Sequence, residues 1–390
     1  MTEKLPAEPR WDQLRRQMPV ATQWAYMDHA AVAPLPTPAR DAVVRWSDES
    51  AQLGDMACPQ WGNQVEQIRQ LTATLLGAEA DDVAFVQNTT AGITLVAEGF
   101  PWQRGDNVVT LANEFPSNQY PWMNLAATRG VETRRVEVPD ARPESQCILR
   151  HCDERTRVIS ISWVGFSSGW RIDIDALVEQ AHERGILVFL DAIQGLGVFP
   201  LDVGRTPVDF LAADGHKWML GPEGAGVFYV RREHLDRLHP LGVGWNSVRH
   251  ASDFDNIALE LRPTARRYEG GSANTVGVLA LGASLQLLSE MGLSAEHSAV
   301  AERVLQVTDS ACGQLQQAGA RVLSARGGPC RSGIVSFELP GQDSNAVRQA
   351  CLREGVVLSC RGGSLRISPH AYTNQEDIER LVRGVTRFGT

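Results

Sequence analysis

Between residues 82 and 230 the sequence alternates short apolar runs with longer stretches whose apolar positions recur at helical spacing. VAFVQ, NVVTLA, VETRRVEV, RVISISWV, ILVFLDA, DFLAA and GVFYV are short and rich in β-branched or aromatic side chains, so they read as strands. TTAGITLVAEGF and IDALVEQAHERG read as helices between them. Strands that alternate with helices predict βαβ units and a largely parallel sheet covered on both faces. Further on, Val278, Leu281, Leu285 and Leu288 mark a helix over 277–292. SAEHSAVAERVLQVTDSACGQLQQAG continues as a second long helix, with Ser294 as its expected N-cap. ARVLS, GIVSFELP and SLRISPH then read as strands, and DSNAVRQACLREG and NQEDIERLVRGVTRF as helices, the latter capped by Asn374. The expected organisation is an N-terminal arm over 1–25, a large α/β domain over 26–276 and a smaller C-terminal α/β domain over 277–390. Proline-rich AAVAPLPTPAR reads as an extended segment near the start.

In open parallel sheets ligands bind beyond the carboxyl ends of the strands, which directs attention to polar residues that follow them. Asp191 ends ILVFLDA and Gln194 follows it; alone, an aspartate in that place is commonly a loop cap. Lys217 comes one strand later, in ADGHKWMLGPEGAG, between two apolar runs that would bury it. A carboxylate and a buried amine around one pocket are what pyridoxal 5′-phosphate requires. The amine attaches the cofactor and the carboxylate keeps its pyridine nitrogen protonated. Asn88, Thr89 and Thr90 stand where VAFVQ gives way to a helix. Free N–H groups, the positive end of the helix dipole and two hydroxyls there suit a phosphate, with a simple threonine N-cap as the alternative.

Charge and composition narrow the partners. Of 390 residues, 46 are acidic and 37 basic, a net charge of −9 spread without long single-sign runs. That argues against nucleic acid and anionic membrane and for a small-molecule substrate. No stretch approaches the roughly 18 apolar residues of a spanning helix, and the N-terminal sequence lacks a signal-peptide core, so a cytoplasmic protein is expected. The seven cysteines form an odd set without a CxxC pair, which argues against a disulfide framework and against a structural metal.

YMDHAAVAPLP, NTTAGI, FLDAIQ, DGHKW, YEGGSANT and LRISPHAYTNQEDIERL follow one another along nearly the whole chain. In these motifs the sequence resembles fold-type I pyridoxal-phosphate enzymes of the aminotransferase class V family, the group that holds cysteine desulfurases, kynureninases and isopenicillin N epimerase. The resemblance implies a large domain built on a mostly parallel, seven-stranded sheet and a smaller C-terminal α/β domain. It implies that Lys217 forms the Schiff base with the cofactor, Asp191 pairs with the pyridine nitrogen and Gln194 donates to the phenolic oxygen. Thr89, Thr90 and His216 would hold the phosphate. Ser272 matches a hydroxyl that reaches the phosphate of the neighbouring subunit, which implies a homodimer with shared sites. Arg366 matches the arginine that grips the substrate α-carboxylate, a task suited to a planar guanidinium, and Arg361 is expected as a second positive group.

Departures from the family pattern carry information too. In NEFPSNQYPW, Phe115 is the expected stacking residue where desulfurases carry a histidine; an aromatic ring can cover the cofactor but cannot move protons. Phe115 as plain core is the alternative. Asp214 occupies the place of a phosphate-binding serine in many relatives and is expected to turn away from the phosphate. VVLSCRGGSLRIS is short for the mobile loop that carries the nucleophilic cysteine of desulfurases, and nearby Cys360 reads as a small buried hydrophobe. Trp163, Phe166 and Trp245 either close the substrate pocket or belong to the core. The expected reaction is a cysteine desulfurase-like or β-lyase conversion of a small amino acid. An aminotransferase, an amino-acid epimerase and an inactive cofactor-binding scaffold stay open as alternatives.

Overall fold

The computed structural model describes residues 8–138 and 142–387, so the first seven residues of the expected N-terminal arm lie outside the described residues. The chain runs through α1 (Pro9–Arg16), β1 (Ala25–Tyr26), α2 (Thr37–Leu53), α3 (Cys58–Leu76), β2 (Val83–Val86), α4 (Thr89–Gly99), β3 (Asn107–Leu111), α5 (Tyr120–Arg129) and β4 (Glu132–Val136). Next come α6 (Ser145–Leu149), β5 (Thr156–Ser162), α7 (Ile174–His182), β6 (Leu187–Asp191), β7 (Phe210–Asp214), β8 (Gly226–Val230), α8 (Thr275–Glu290) and α9 (Ala299–Gln317). It ends with β9 (Arg321–Val322), β10 (Val335–Glu338), α10 (Ser344–Arg353), β11 (Val356–Val357), β12 (Ser359–Arg361), β13 (Ser364–Ile367) and α11 (Gln375–Thr386).

The seven runs read as strands between residues 82 and 230 form one sheet in the order β2-β8-β7-β6-β5-β3-β4. β7, β6, β5, β3 and β4 pair in parallel, while β8 is antiparallel to both of its neighbours. Residues 215–225, which join β7 to β8, are too few for the crossover a parallel pair needs, so the chain turns straight back. Alternation along the strands serves two cores: Ile159, Val188, Leu190 and Leu211 pack on one face, and Val158, Phe189, Phe210 and Ala212 on the other. Burial on both faces is why these strands read as near-continuous apolar runs.

A second sheet, β12-β13-β10-β9, is antiparallel and carries the C-terminal part of the chain. β1 pairs in parallel with β11, and Asp28 bridges to Ser368, so the start of the chain is laid against its end. α8 packs on α2 and α3, and its Leu281, Leu285 and Leu288 join the core beneath the large sheet. The expected boundary at 276/277 falls within the first turn of this helix.

Two local expectations are corrected. The extended segment stops at Pro36, and its last residues form the first turn of α2, with Pro38 at a position where a missing N–H costs nothing. The N-cap of α9 is Ser298, whose hydroxyl accepts from Ala301 N at 3.0 Å, and not Ser294. Ser294 instead closes a turn with His297, because Leu293 bridges to Ser298 and delays the helix. Asn374 caps α11 as expected, with Asp377 bonding back to its N–H at 3.1 Å.

Candidate active site

The carboxyl ends of β5, β6 and β7 deliver Ser162, Asp191 and Asp214 to the rim of a cavity of about 410 Å³. Lys217 enters it from the loop after β7. That loop is braced by hydrogen bonds: Leu220 N–H donates to the Lys217 carbonyl at 3.0 Å, and the Leu220 carbonyl accepts from Ser284 of α8 at 2.7 Å. Leu220 holds φ 58°, a left-handed conformation that costs a leucine on the order of 1–3 kcal/mol and persists because the surrounding packing dictates it.

Lys217 is 7% exposed and its amine has no hydrogen-bond acceptor among the described residues. Burial pushes it down to about 8; the Asp191 carboxylate opposes the shift and Arg366 adds to it. An amine so placed is largely a free base at mildly alkaline pH, the form that attacks a carbonyl. Asp191, buried beside it, is raised to about 6 by desolvation, while the Ile193 N–H at 3.2 Å and the field of Lys217 oppose that rise.

The N-terminus of α4 faces the same space. Asn88 caps it by accepting from Ala91 N at 2.9 Å, which leaves the N–H groups of Thr89 and Thr90 without intrahelical acceptors. The helix can approach because Gly92 lies on β7: a Cβ there would meet that of Ala212 at 2.5 Å. The Thr90 hydroxyl donates to Ser117 Oγ at 2.9 Å, and Thr89 Oγ accepts from Asp214 N at 3.0 Å. His216 lines the cavity with Nδ1 2.9 Å from Asp214 Oδ2, and Asp214 Oδ1 has no partner. Asp214 thus lines the cavity beside His216.

Gln194 also lines the cavity with its amide fixed at both ends: Oε1 accepts from Trp218 Nε1 at 2.9 Å and Nε2 donates to the Ala30 carbonyl at 3.1 Å. Phe115 stands over Lys217, whose Nζ is 5.5 Å from the ring centroid, and meets Phe166 edge to face at 5.3 Å. Of the three aromatic candidates for closing the pocket, Phe166 lines it. Trp163 is buried against Phe199, and Trp245 is half exposed outside it.

β12 and β13 bring in Arg361 and Arg366. Arg366 is 1% exposed, with Nη2 on Asp28 Oδ1 at 3.0 Å and Nη1 on the Phe166 carbonyl at 2.7 Å, leaving Nε unpartnered. Its burial lowers its basicity and Asp28 restores part of it. Arg361 is exposed at the mouth and donates to the Cys360 carbonyl at 3.0 Å. The two strands are joined by Gly362 and Gly363, both at positive φ (56° and 82°). Cys360 is not among the cavity residues; its thiol contacts the Ser344 carbonyl at 3.3 Å, and burial raises its pKa. Ser272 lies in an adjoining cavity of about 730 Å³ that shares Asn88 and Thr90 with this site.

The sequence pattern of the aminotransferase class-V family matches residues 25–381. The chain belongs to this family. A probable cysteine desulfurase of Methanothermobacter thermautotrophicus is 28% identical over 95% of this chain and 96% of its own length. The apo structure of a cysteine desulfurase from Thermococcus onnurineus superposes with a TM-score of 0.87 at 22% identity, covering 99% of each chain. The complex of a cystine C–S lyase with its product cysteine persulfide gives 0.89 at 23% identity, over 96% of this chain and all of that one. These likenesses establish fold-type I architecture.

Pyridoxal phosphate goes with the class-V family, and the donor set fits it. A buried amine without an acceptor, a buried carboxylate beside it and a helix N-terminus with free N–H groups face one cavity. Sequence reasoning missed Asp28, Glu114, Ser117 and Ser162. Asp28 comes from the first strand-like stretch and reaches Arg366 through the bridge to Ser368, a proximity no local pattern encodes.

Proposed function

We propose that this protein is a pyridoxal-phosphate-dependent β-lyase that acts on a small sulfur amino acid. The observation that carries the reading is Lys217, a buried amine without an acceptor placed beside Asp191 and within the field of Arg366. When bound, the cofactor would supply an electron sink for the carbanion at Cα. Lys217 would attach it, Asp191 would face its pyridine nitrogen, and Thr89, Thr90 and His216 would hold its phosphate. Gln194, braced by Trp218 and Ala30, has one N–H left for the phenolic oxygen.

Arg366, oriented by Asp28 and the Phe166 carbonyl, would orient the substrate carboxylate, with Arg361 as a further positive group. Once displaced by substrate, the Lys217 amine takes the Cα proton, and the electron pair of the Cβ–S bond leaves with sulfur. A phenylalanine at 115 gives the site no second base over that face. The two-glycine turn at 362–363 offers no cysteine to receive sulfur, and the Cys360 thiol is turned to Ser344, which supports release of sulfur to a small molecule over capture on the protein.

Leu241, Val243, Trp245, Phe254, Ile257 and Leu259 are exposed on one segment, an apolar surface that supports a homodimer, with Ser272 reaching the partner's phosphate. Seven free cysteines support a reducing compartment, the cytoplasm. The test of the reaction type is to supply cysteine, cystine, cysteine sulfinate and alanine to the reconstituted enzyme. Release of sulfide from cysteine or persulfide from cystine, each with a keto acid and ammonia, is expected. Keto acid formed only with an amino acceptor, or racemised substrate, would replace the lyase by the aminotransferase or epimerase.

A further inference from the structure

One buried carboxylate lies at the edge of the site with no part in the reading above. Glu114, on the turn after β3, is 8% exposed. Its Oε1 accepts the Ser162 N–H at 2.7 Å, and its Oε2 accepts the Ser162 hydroxyl. Ser162 is the last residue of β5, the register partner of Asp191, and lines the cavity with Phe115. Glu114 forms no ion pair among the described residues. The charged group acting on Glu114 is Asp191 from β6; Lys217, Arg366 and Arg361 gather beyond Asp191. Burial pushes Glu114 up to about 7; the two Ser162 bonds oppose this and the field of Asp191 adds to it.

A buried carboxyl without a cation is a costly way to fasten a turn. The turn is already fastened, since Asn118 Oδ1 accepts from Ser160 Oγ at 2.6 Å and from Trp122 Nε1 at 3.0 Å. What Glu114 adds is a grip on the one strand-end residue beside Asp191, one position before Phe115.

We propose that Glu114 is a positioning residue for the cofactor: by gripping Ser162 it seats the turn that carries Phe115 against the sheet edge at Asp191, so that the Phe115 ring covers the cofactor face. The inference rests on the cofactor reading of the site. The test uses the full chain reconstituted with pyridoxal phosphate, comparing Glu114→Ala, Glu114→Gln, Ser162→Ala, Phe115→Ala and the double variant Glu114→Ala/Phe115→Ala. The readouts are the cofactor dissociation constant and the visible absorption of the bound cofactor, with the thermal midpoint of the apo chain measured separately. Glu114→Ala is expected to weaken cofactor binding about tenfold and to shift the absorption band in the same sense as Phe115→Ala. The double variant should then differ from Phe115→Ala by less than about twofold, the non-additivity of residues that act through one another.

Glu114→Gln, which keeps an acceptor for the Ser162 N–H, and Ser162→Ala should fall between wild type and Glu114→Ala, and they carry the comparison if Glu114→Ala does not fold. The proposal is overturned if these variants change only the apo thermal midpoint, or if the effects of Glu114→Ala and Phe115→Ala multiply independently. Borohydride trapping of the unaltered chain separates the two layers. An unlabelled Lys217 refutes the cofactor reading itself, whereas a labelled Lys217 with independent effects refutes only the role of Glu114.

Discussion

Lys217→Met should make the cofactor-free chain more stable at neutral pH, although it removes the amine proposed to anchor the cofactor. The ordinary value of a lysine is 10.5 and burial brings Lys217 to about 8. Between those values the unfolded chain binds a proton that the folded chain has released, so stability rises with pH across that window. Below about pH 8 the full cost of burying the charge is present. At 1.36 kcal/mol per pH unit the gap corresponds to about 3 kcal/mol. Lys217 also favours the ionised form of Asp191, and methionine forfeits that help, which leaves a net gain of about 1–3 kcal/mol. Methionine fills the slot with an unbranched apolar chain, so a cavity penalty should be small. Thermal unfolding of the two apo proteins at about pH 7 should place the variant about 1–4 °C higher, at roughly 1.2 °C per kcal/mol for a chain of 390 residues. Near pH 10.5 the difference should shrink toward zero. Equal midpoints at neutral pH, or a difference that stays the same at both pH values, would refute the claim that Lys217 is held as a desolvated amine.

Asp191→Ala should retain covalent labelling of Lys217 yet lose turnover by at least about 10²-fold, the scale of removing one preorganised electrostatic partner; steady-state rates check it. Arg366→Lys should raise KM about tenfold or more with a smaller change in kcat, because an ammonium cannot reproduce the planar fork; undiminished affinity would take the substrate carboxylate elsewhere. Asp28→Asn should lower apo stability by about 3 kcal/mol in denaturant unfolding, since Arg366 would keep a buried charge without its counter-charge. Cys360→Ser should leave sulfur release within about twofold of wild type, and abolished release would restore a protein-bound sulfur step.

The strand-end residues were legible because their signals are local. Asp191 and Lys217 each follow a short apolar run, and the parallel sheet places such ends on one edge. Thr89 and Thr90 carried the same kind of signal at a strand-to-helix junction, though the structure spends the Thr89 hydroxyl on Asp214 N. The long-range contacts around the site were not legible. Asp28 meets Arg366 across more than three hundred residues of chain, and Glu114 meets Ser162 across a crossover. Helix boundaries were set by tertiary detail too: Ser294 satisfied the capping rule, but the bridge from Leu293 to Ser298 moved the cap to Ser298.

The account turns on Lys217 as the covalent anchor of pyridoxal phosphate. Borohydride reduction of the reconstituted protein, followed by proteolysis and mass mapping, tests this directly. One pyridoxyl group on the peptide that contains Lys217 is the predicted result, and a label absent from that lysine would contradict the assignment of the site.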